Sequence, residues 1–320
     1  MPHIVIAGKL HPSGLKLIEN LSNITFKYIP DEDPQAYLKF ISEAEGLVIR
    51  TQKLDAENIA TASKLKIVSR HGVGYDNVDD NALQERGIPL AIVGDVNSRT
   101  VAEHAMTLLL CASRRILKSA IALRRGEWAQ RNQFEPREVY CKSLLIVGYG
   151  RIGQHLRLLA QAFGMHVMAY DPFLTAHDFK GVEKVEELHD GLSRADCVSL
   201  HVPKTKNIIL GAEELSLLPR HAIIVNTARG GIIDETALVK ALKNQNLGAV
   251  GLDVISEEPP NRNHPLFDFE NVIMTPHSAG LTEECAERMA IKSVQNVLDF
   301  FDENLDPALV VNDVRKTFLK

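Results

Sequence analysis

Short apolar runs alternate along this chain with segments whose apolar positions recur three and four residues apart, the marks of strands and amphipathic helices respectively. In residues 1–96 the runs at 3–7, 24–29, 46–49, 66–68 and 89–91 predict strands, with helical periods around 14–20, 34–43 and 79–85. A long helical pattern from 98 to 121, beginning near Thr100-Val-Ala-Glu-His-Ala-Met, carries the chain toward a second domain. There the alternation resumes, with strands at 143–147, 165–170, 196–202, 221–226, 248–254 and 271–274. Helices are expected near 151–163, 212–218 and 234–244, the last with Asp234 as its N-cap. A final helical period over 282–301 suits a return to the first domain, where 305–320 would finish.

Strands in strict alternation with helices imply mainly parallel sheets covered on both faces. The expected architecture is α/β, with two doubly wound domains and a cleft between them. Residues 1–97 with 284–320 form one domain, and 98–283 the other. A length of 320 residues agrees, since domains typically run to about 150 residues.

Composition narrows the class without naming a function. With 45% hydrophobic and 24% charged residues the chain is an ordinary globular protein, and a net charge of −5 gives no reason to expect nucleic acid. The locally basic stretch 114–131 spreads its cations among apolar residues at helical spacing, which suits a solvated or subunit-facing helix. Cys111, Cys141, Cys197 and Cys285 are far apart and form no CxxC, so buried reduced thiols and a cytoplasmic setting are expected. The amino terminus lacks the pattern of a signal peptide, and no run approaches a membrane span. The 12 histidines are scattered, and no metal site is expected.

The segment Ser143-Leu-Leu-Ile-Val-Gly148-Tyr-Gly150-Arg-Ile-Gly153 carries the first chemical signal. Read as strand, glycine turn and helix, it describes a dinucleotide pocket. Gly148 permits the tight turn, Gly150 lets backbone approach a pyrophosphate, and Gly153 lets the helix pack close, with free N–H groups at the helix start. The next strand ends on Asp171, 18 residues beyond Gly153, near the spacing of an acid that accepts bonds from ribose hydroxyls. No cation follows it directly, and a carboxylate repels a 2′-phosphate, so NAD is expected over NADP.

Three later strand ends bear charged groups in apolar surroundings: Asn226-Thr-Ala-Arg229, Asp253 to Glu258, and Thr275-Pro-His277. A base titrating near neutrality suits proton removal from a hydroxyl during hydride transfer, and a carboxylate behind it holds its tautomer. Arginine offers a planar fork for a substrate carboxylate. Each has a plainer reading: a surface histidine, a solvated loop acid beside Pro259 and Pro260, and an ordinary turn arginine. Spacing alone does not choose between the two sets.

Taken with Ser69-Arg-His-Gly-Val-Gly-Tyr-Asp-Asn-Val-Asp79, Val101-Ala-Glu-His, Gly251-Leu-Asp-Val and Glu258-Pro, these motifs resemble the D-isomer-specific 2-hydroxyacid dehydrogenases over nearly the whole chain. That family includes D-3-phosphoglycerate dehydrogenase and glyoxylate/hydroxypyruvate reductases. The resemblance implies a Rossmann-type cofactor domain (98–283) and a flavodoxin-like substrate domain. It implies His277 as general acid/base, Glu258 as its paired acid, and Arg229 on the substrate carboxylate. It also implies Asp253 on the nicotinamide amide with Ala279 and Gly280 nearby, and Thr100 as a phosphate contact. Arg151 and Ile152 would face the pyrophosphate, His201, Val202 and Pro203 the adenine side, and Thr227 and Ala228 the coenzyme. The Gly72-Val73-Gly74 turn would grip the substrate carboxylate through backbone N–H groups.

Arg50 and Arg70, after strands of the first domain, favour a phosphorylated substrate such as D-3-phosphoglycerate. Pairing with Asp76 or Asp79 is the plainer reading, and glyoxylate or hydroxypyruvate the alternative substrate. An NAD(H)-sensing corepressor that binds peptides is the alternative of another class. The resemblance further implies a homodimer. The chain stops at Lys320, so the regulatory domain and serine feedback of longer phosphoglycerate dehydrogenases are not expected.

Overall fold

The computed structural model describes residues 1–314 except 32, 34 and 206. The chain divides into two compact units, Met1–Asn97 with the segment from Leu281 onward, and Ser98–Gly280. The predicted tail therefore lies partly outside the described residues, as does Pro34 at the start of the predicted helix 34–43.

In the first unit five strands form an all-parallel sheet: β1 (His3–Ala7), β2 (Thr25–Ile29), β3 (Gly46–Ile49), β4 (Ile67–Arg70) and β5 (Leu90–Ala91). Their order is β2-β1-β3-β4-β5, the flavodoxin-like order. The central strands β1, β3 and β4 are buried at successive positions because both faces are covered, whereas the edge strand β2 alternates. Ile4 and Ile6 pack into a layer with Ile18, Val294 and Val297, while Val5 and Ala7 join Leu47, Ile49 and Leu83 on the other face. The helix Glu283–Phe301 closes one face, with Thr282 as N-cap accepting from the N–H of Cys285 at 3.2 Å. It meets the helix Pro12–Glu19 at Gly14, where an added Cβ would stand 2.8 Å from the carbonyl oxygen of Ala290.

The second unit holds β6 (Ser143–Val147), β7 (His166–Tyr170), β8 (Glu183–Lys184), β9 (Cys197–Leu200), β10 (Ile223–Asn226), β11 (Ala249–Leu252) and β12 (Val272–Met274). All pair in parallel, in the order β12-β11-β10-β9-β6-β7-β8. From β6 the chain first builds outward through β7 and β8, then crosses back to place β9 on the other side. That reversal is the doubly wound switch point, and ligands sit outside the carboxyl ends of the strands flanking it. The central strands β6, β9, β10 and β11 are again buried on both faces: Leu144 and Ile146 join one core layer, Leu145 and Val147 the other.

Several expectations are corrected. The long helix ends at Ser113, and a second begins at Ile116, because Arg115 takes a left-handed φ of +52°. On that second helix Ile116, Leu117, Ile121 and Leu123 are exposed, which suits the subunit-facing alternative better than the solvated one. Cys197 and Cys285 are buried, but Cys111 is only partly so and Cys141 is exposed. Among the described residues no helix is long and apolar enough to cross a membrane, and no group of three metal-ligating side chains occurs.

Candidate active site

The glycine turn joins β6 to the helix Arg151–Ala162 at the switch point. Gly148 has φ +90°, and a Cβ there would lie 2.6 Å from the carbonyl oxygen of His201, in the segment leaving β9. Only glycine allows the two strand exits to approach this closely. A Cβ on Gly153 would collide with the Gly148 carbonyl oxygen at 2.6 Å, so the helix is seated directly on the turn. Gly150 faces open space and is the N-cap of that helix, where it offers no side-chain cap. The backbone N–H groups of Arg151 and Ile152 thus begin the helix where an anion gains most from its partial positive charge.

Asp171 leaves the end of β7 and braces the same turn. Its Oδ2 accepts from the N–H of Tyr149 at 2.9 Å and its Oδ1 from that of Phe173 at 3.1 Å. His201, Val202 and Pro203 run alongside, with the N–H of His201 donating to the Val147 carbonyl at 2.8 Å. His201 bonds Ser199 Oγ through Nε2 at 2.8 Å, and burial pushes its pKa down to about 3, so the ring is neutral. Its Nδ1, and the Oγ of Thr227 beyond β10, are enclosed without a protein partner. Buried polar atoms are normally satisfied, so two orphans beside this turn fit a polar ligand there. Thr100 is buried in the first turn of the helix Ser98–Ser113.

Three neighbouring strand ends bring the charged trio together. His277 Nδ1 lies 2.7 Å from Glu258 Oε2, and the N–H of Ile255 donates to Glu258 Oε1 at 3.1 Å. His277 takes a left-handed φ of +49°, held by its N–H to the Asp253 and Thr275 carbonyls at 2.9 and 3.0 Å. The hydrogen bond to Glu258 is the largest influence on the imidazole pKa and raises it; burial opposes, the charges of Glu258 and Asp253 add, and Arg229 subtracts. For Glu258 burial is the largest influence and pushes upward. The bond and charge of His277, the Ile255 N–H and Arg229 together bring its pKa below the usual carboxylate value. Arg229 therefore acts electrostatically on both members of the pair.

The turn carrying Arg229 is shaped by Asn226. Its Oδ1 accepts from the N–H of Ala228 at 3.0 Å, and its Nδ2 donates to the Arg229 carbonyl at 2.8 Å. Arg229 Nη1 donates to the carbonyl of Ala228 at 2.7 Å. Glu235 braces the Glu258 loop by accepting from the N–H of Ser256 at 2.6 Å.

Asp253 follows β11 and packs against the segment that carries His277. Its carboxylate is wholly buried. Oδ1 accepts from Thr275 Oγ at 2.5 Å and the Ser278 N–H at 2.9 Å, and Oδ2 from the Ala279 N–H at 2.8 Å. His104 Nε2 approaches Thr275 Oγ at 3.0 Å. In this state Asp253 holds the loop running from His277 to Gly280. The motifs that hold Asn226, His104 and Thr275 do not reveal these side-chain roles, and Glu235 carries no signal in the sequence. His104, Thr275 and Glu235 find their partners on strands and loops distant in sequence, whereas Asn226 acts within its own turn.

Arg50, Arg70, Val73 and Gly74 belong to the first unit, where Val73 packs against Val93, Cys285 and Met289. Arg50 follows β3 and Arg70 ends β4. Asn77 links them: its Oδ1 accepts from Arg70 Nε at 3.3 Å, and its Nδ2 donates to the carbonyls of Arg50 (3.3 Å) and Gln52 (2.6 Å). Arg50 Nη1 donates to the Lys9 carbonyl at 3.0 Å. Asp79 is instead the N-cap of the helix Asp80–Glu85, accepting from the Ala82 N–H at 3.0 Å. Gly72 has φ +150°, and its N–H donates to the Arg70 carbonyl at 2.8 Å.

Residues 106–279 match the model of the D-isomer specific 2-hydroxyacid dehydrogenase, NAD binding domain. The chain belongs to that family. The family inferred from the ordered motifs is the one found, and an oxidoreductase-type NAD-binding domain accounts for the glycine turn. Among curated relatives, a D-3-phosphoglycerate dehydrogenase from Methanocaldococcus jannaschii is 41% identical over 89% of this chain and 54% of its own length. The chain thus spans about half the length of that relative. A glyoxylate reductase from Thermococcus litoralis is 36% identical, covering 98% of both chains. The crystal structure of an NADPH-dependent glyoxylate/hydroxypyruvate reductase from Sinorhizobium meliloti has a TM-score of 0.84 at 28% identity, over 94% of this chain and 95% of that one.

Proposed function

We propose that this chain is an NAD-dependent oxidoreductase interconverting a D-2-hydroxy acid and its 2-oxo acid. The observation that carries the reading is the 2.7 Å contact of His277 with Glu258 at the same sheet edge as the glycine turn. The enclosed, unpartnered Thr227 Oγ and His201 Nδ1 and the open face of Gly150 fit a dinucleotide held by Gly148 to Gly153, Asp171 and Thr227. When bound, that coenzyme supplies the hydride donor or acceptor.

Glu258, ionised, accepts from His277 Nδ1, which leaves Nε2 for the substrate. In oxidation neutral Nε2 takes the hydroxyl proton, and in reduction protonated His277 returns a proton to the carbonyl oxygen. Arg229 is assigned to the substrate carboxylate, where a fork of N–H donors fixes the plane of the reacting carbon. Asp171 favours NAD, because its carboxylate at the end of β7 opposes a 2′-phosphate.

For the substrate, Arg50 and Arg70 support a phosphorylated acid resembling D-3-phosphoglycerate. Glyoxylate or hydroxypyruvate is the second reading, supported by the 36% identity to a glyoxylate reductase. A homodimer is also proposed, supported by exposed Leu117, Ile121, Trp128 and Phe134 in the second unit.

The deciding experiment measures NADH consumption with a panel of 2-oxo acids, phosphorylated and not. Turnover on at least one, falling ~10²–10⁴-fold in His277→Ala while NADH affinity is kept, is expected. No turnover across the panel would leave a binding protein as the better reading. Arg50→Ala should weaken a phosphorylated substrate far more than glyoxylate, and equal losses would remove the phosphate reading.

A further inference from the structure

At the amino ends of β10 and β11, the edge of the sheet opposite the glycine turn, the second unit has a cavity of about 250 Å³. With a strand rise of ~3.3 Å per residue, the four-residue strands put this cavity roughly 10 Å or more from the catalytic loops. Ser113, Arg115, Glu135, Arg137, Arg220 and His221 are among its lining residues.

The charges do not cancel. Glu135 is already held by Lys118, whose Nζ lies 2.9 Å from both carboxylate oxygens. His221 Nε2 lies 2.6 Å from Asp196 Oδ1. That leaves the guanidiniums of Arg115, Arg137 and Arg220, of which neither Arg137 nor Arg220 enters an ion pair among the described residues. Arg115 donates through Nη2 to the Gly248 carbonyl at 2.8 Å, while its Nη1 is enclosed by protein with no protein partner. An enclosed N–H of a charged group without an acceptor is costly.

The backbone at Arg115 adds an independent argument. It stands in the break between two helices at φ +52°, a conformation that favours glycine or asparagine. A turn made only to connect helices has no need of a β-substituted, cationic residue there. Keeping one places a guanidinium beneath the sheet, and strained backbone of this kind is characteristic of ligand sites. His221 and Gly248 form a rigid wall beside it, since a Cβ on Gly248 would stand 2.3 Å from the His221 carbonyl oxygen.

We infer that this cavity is a second binding site, for a small oxyanion of at least two negative charges, a phosphate or a dicarboxylate. It is separate from the coenzyme and substrate positions, and it stands whether or not the proposed dehydrogenase reaction is correct. Arg115 supplies the enclosed donor at the base, and Arg137 and Arg220 supply donors at the mouth.

The test is calorimetric titration of the purified protein, as the oligomer it forms and saturated with NADH, with inorganic phosphate and with malonate in separate runs. Saturable binding of one or both is expected, and the tighter probe assigns the class. The Arg137→Gln/Arg220→Gln variant should bind about tenfold or more weakly, since two charge-assisted contacts are lost. Its thermal unfolding should match wild type, as both side chains are exposed. Arg50→Ala, altered in the other unit, should titrate like wild type. Absence of saturable binding, equal binding by the double variant, or loss of binding in Arg50→Ala would each overturn the inference.

Discussion

An added Cβ on Gly230 would stand 1.8 Å from the carbonyl oxygen of Ile255, well inside any allowed contact. The turn bearing Arg229 is therefore pressed against the loop whose Ile255 N–H orients Glu258, backbone on backbone. This abutment sets the spacing of arginine and carboxylate without either side chain being involved. Gly230→Ala should push the two loops apart. Overpacking against backbone costs ~1–3 kcal/mol, so we expect a lower unfolding midpoint and a larger proportional loss in kcat/KM. A variant with unchanged stability and turnover would show that the abutment does not set the geometry.

The His277–Glu258 pair makes a signed prediction about pH. Glu258 is the principal reason the imidazole pKa is raised. Reduction needs protonated His277, so its kcat/KM should hold at low pH and fall as pH rises through that raised pKa. Oxidation needs the neutral ring and should rise over the same interval. Glu258→Gln removes the carboxylate's charge, so both limbs should move to lower pH. At neutral pH the variant loses reduction more than oxidation. Parallel pH profiles for wild type and variant, recorded in both directions, would sink the assignment of Glu258.

Much of this fold was legible because its strands are apolar on both faces. The run 3–7 coincides with β1, and 46–49 with β3, since Ile4 to Ala7 and Leu47 to Ile49 each enter one of two core layers. What escaped were elements too short for periodicity to register. The helices Ala56–Thr61 and Leu188–Arg194 span fewer than two full turns or barely two, and β8 is a polar pair, Glu183–Lys184, at the sheet edge. The helix break at Arg115 was hidden because apolar spacing continues across it from Leu109 to Ile116. In the site, charged residues at strand ends were visible, but their supports were not. Asn226 acts within its own turn, whereas the contacts from Glu235 to Ser256 and from Asp253 to Thr275 exist only after β10, β11 and β12 align.

Asp253 offers a test of which role dominates. Three donors converge on its buried carboxylate, from Thr275, Ser278 and Ala279. Asn at this position turns an NH₂ toward one of them and leaves a buried donor unmatched, at ~1–3 kcal/mol. Asp253→Asn should therefore lower thermal stability and kcat together, through the loop that bears His277. Were NADH affinity alone to weaken, with the unfolding midpoint unchanged, the residue would be a nicotinamide contact and not a brace.

Coenzyme choice rests on Asp171, and its geometry dictates which variant to make. Because Oδ2 accepts from the Tyr149 N–H, alanine would loosen the glycine turn as well as remove charge. Asn keeps a carbonyl oxygen for that N–H but turns its NH₂ toward the Phe173 N–H, so Asp171→Asn removes the charge at the cost of that second contact, a loss common to both coenzymes that cancels in the ratio of their affinities. A bond to a charged acceptor exceeds one to a neutral acceptor by about 1 kcal/mol, so NADH affinity should fall roughly tenfold or somewhat less. Repulsion of a 2′-phosphate disappears in the same step, so NADPH affinity should rise. Fluorescence titration of both reduced coenzymes measures the ratio. If the preference is the same in wild type and variant, the discriminating charge lies elsewhere, and Asp171 serves only to hold the turn.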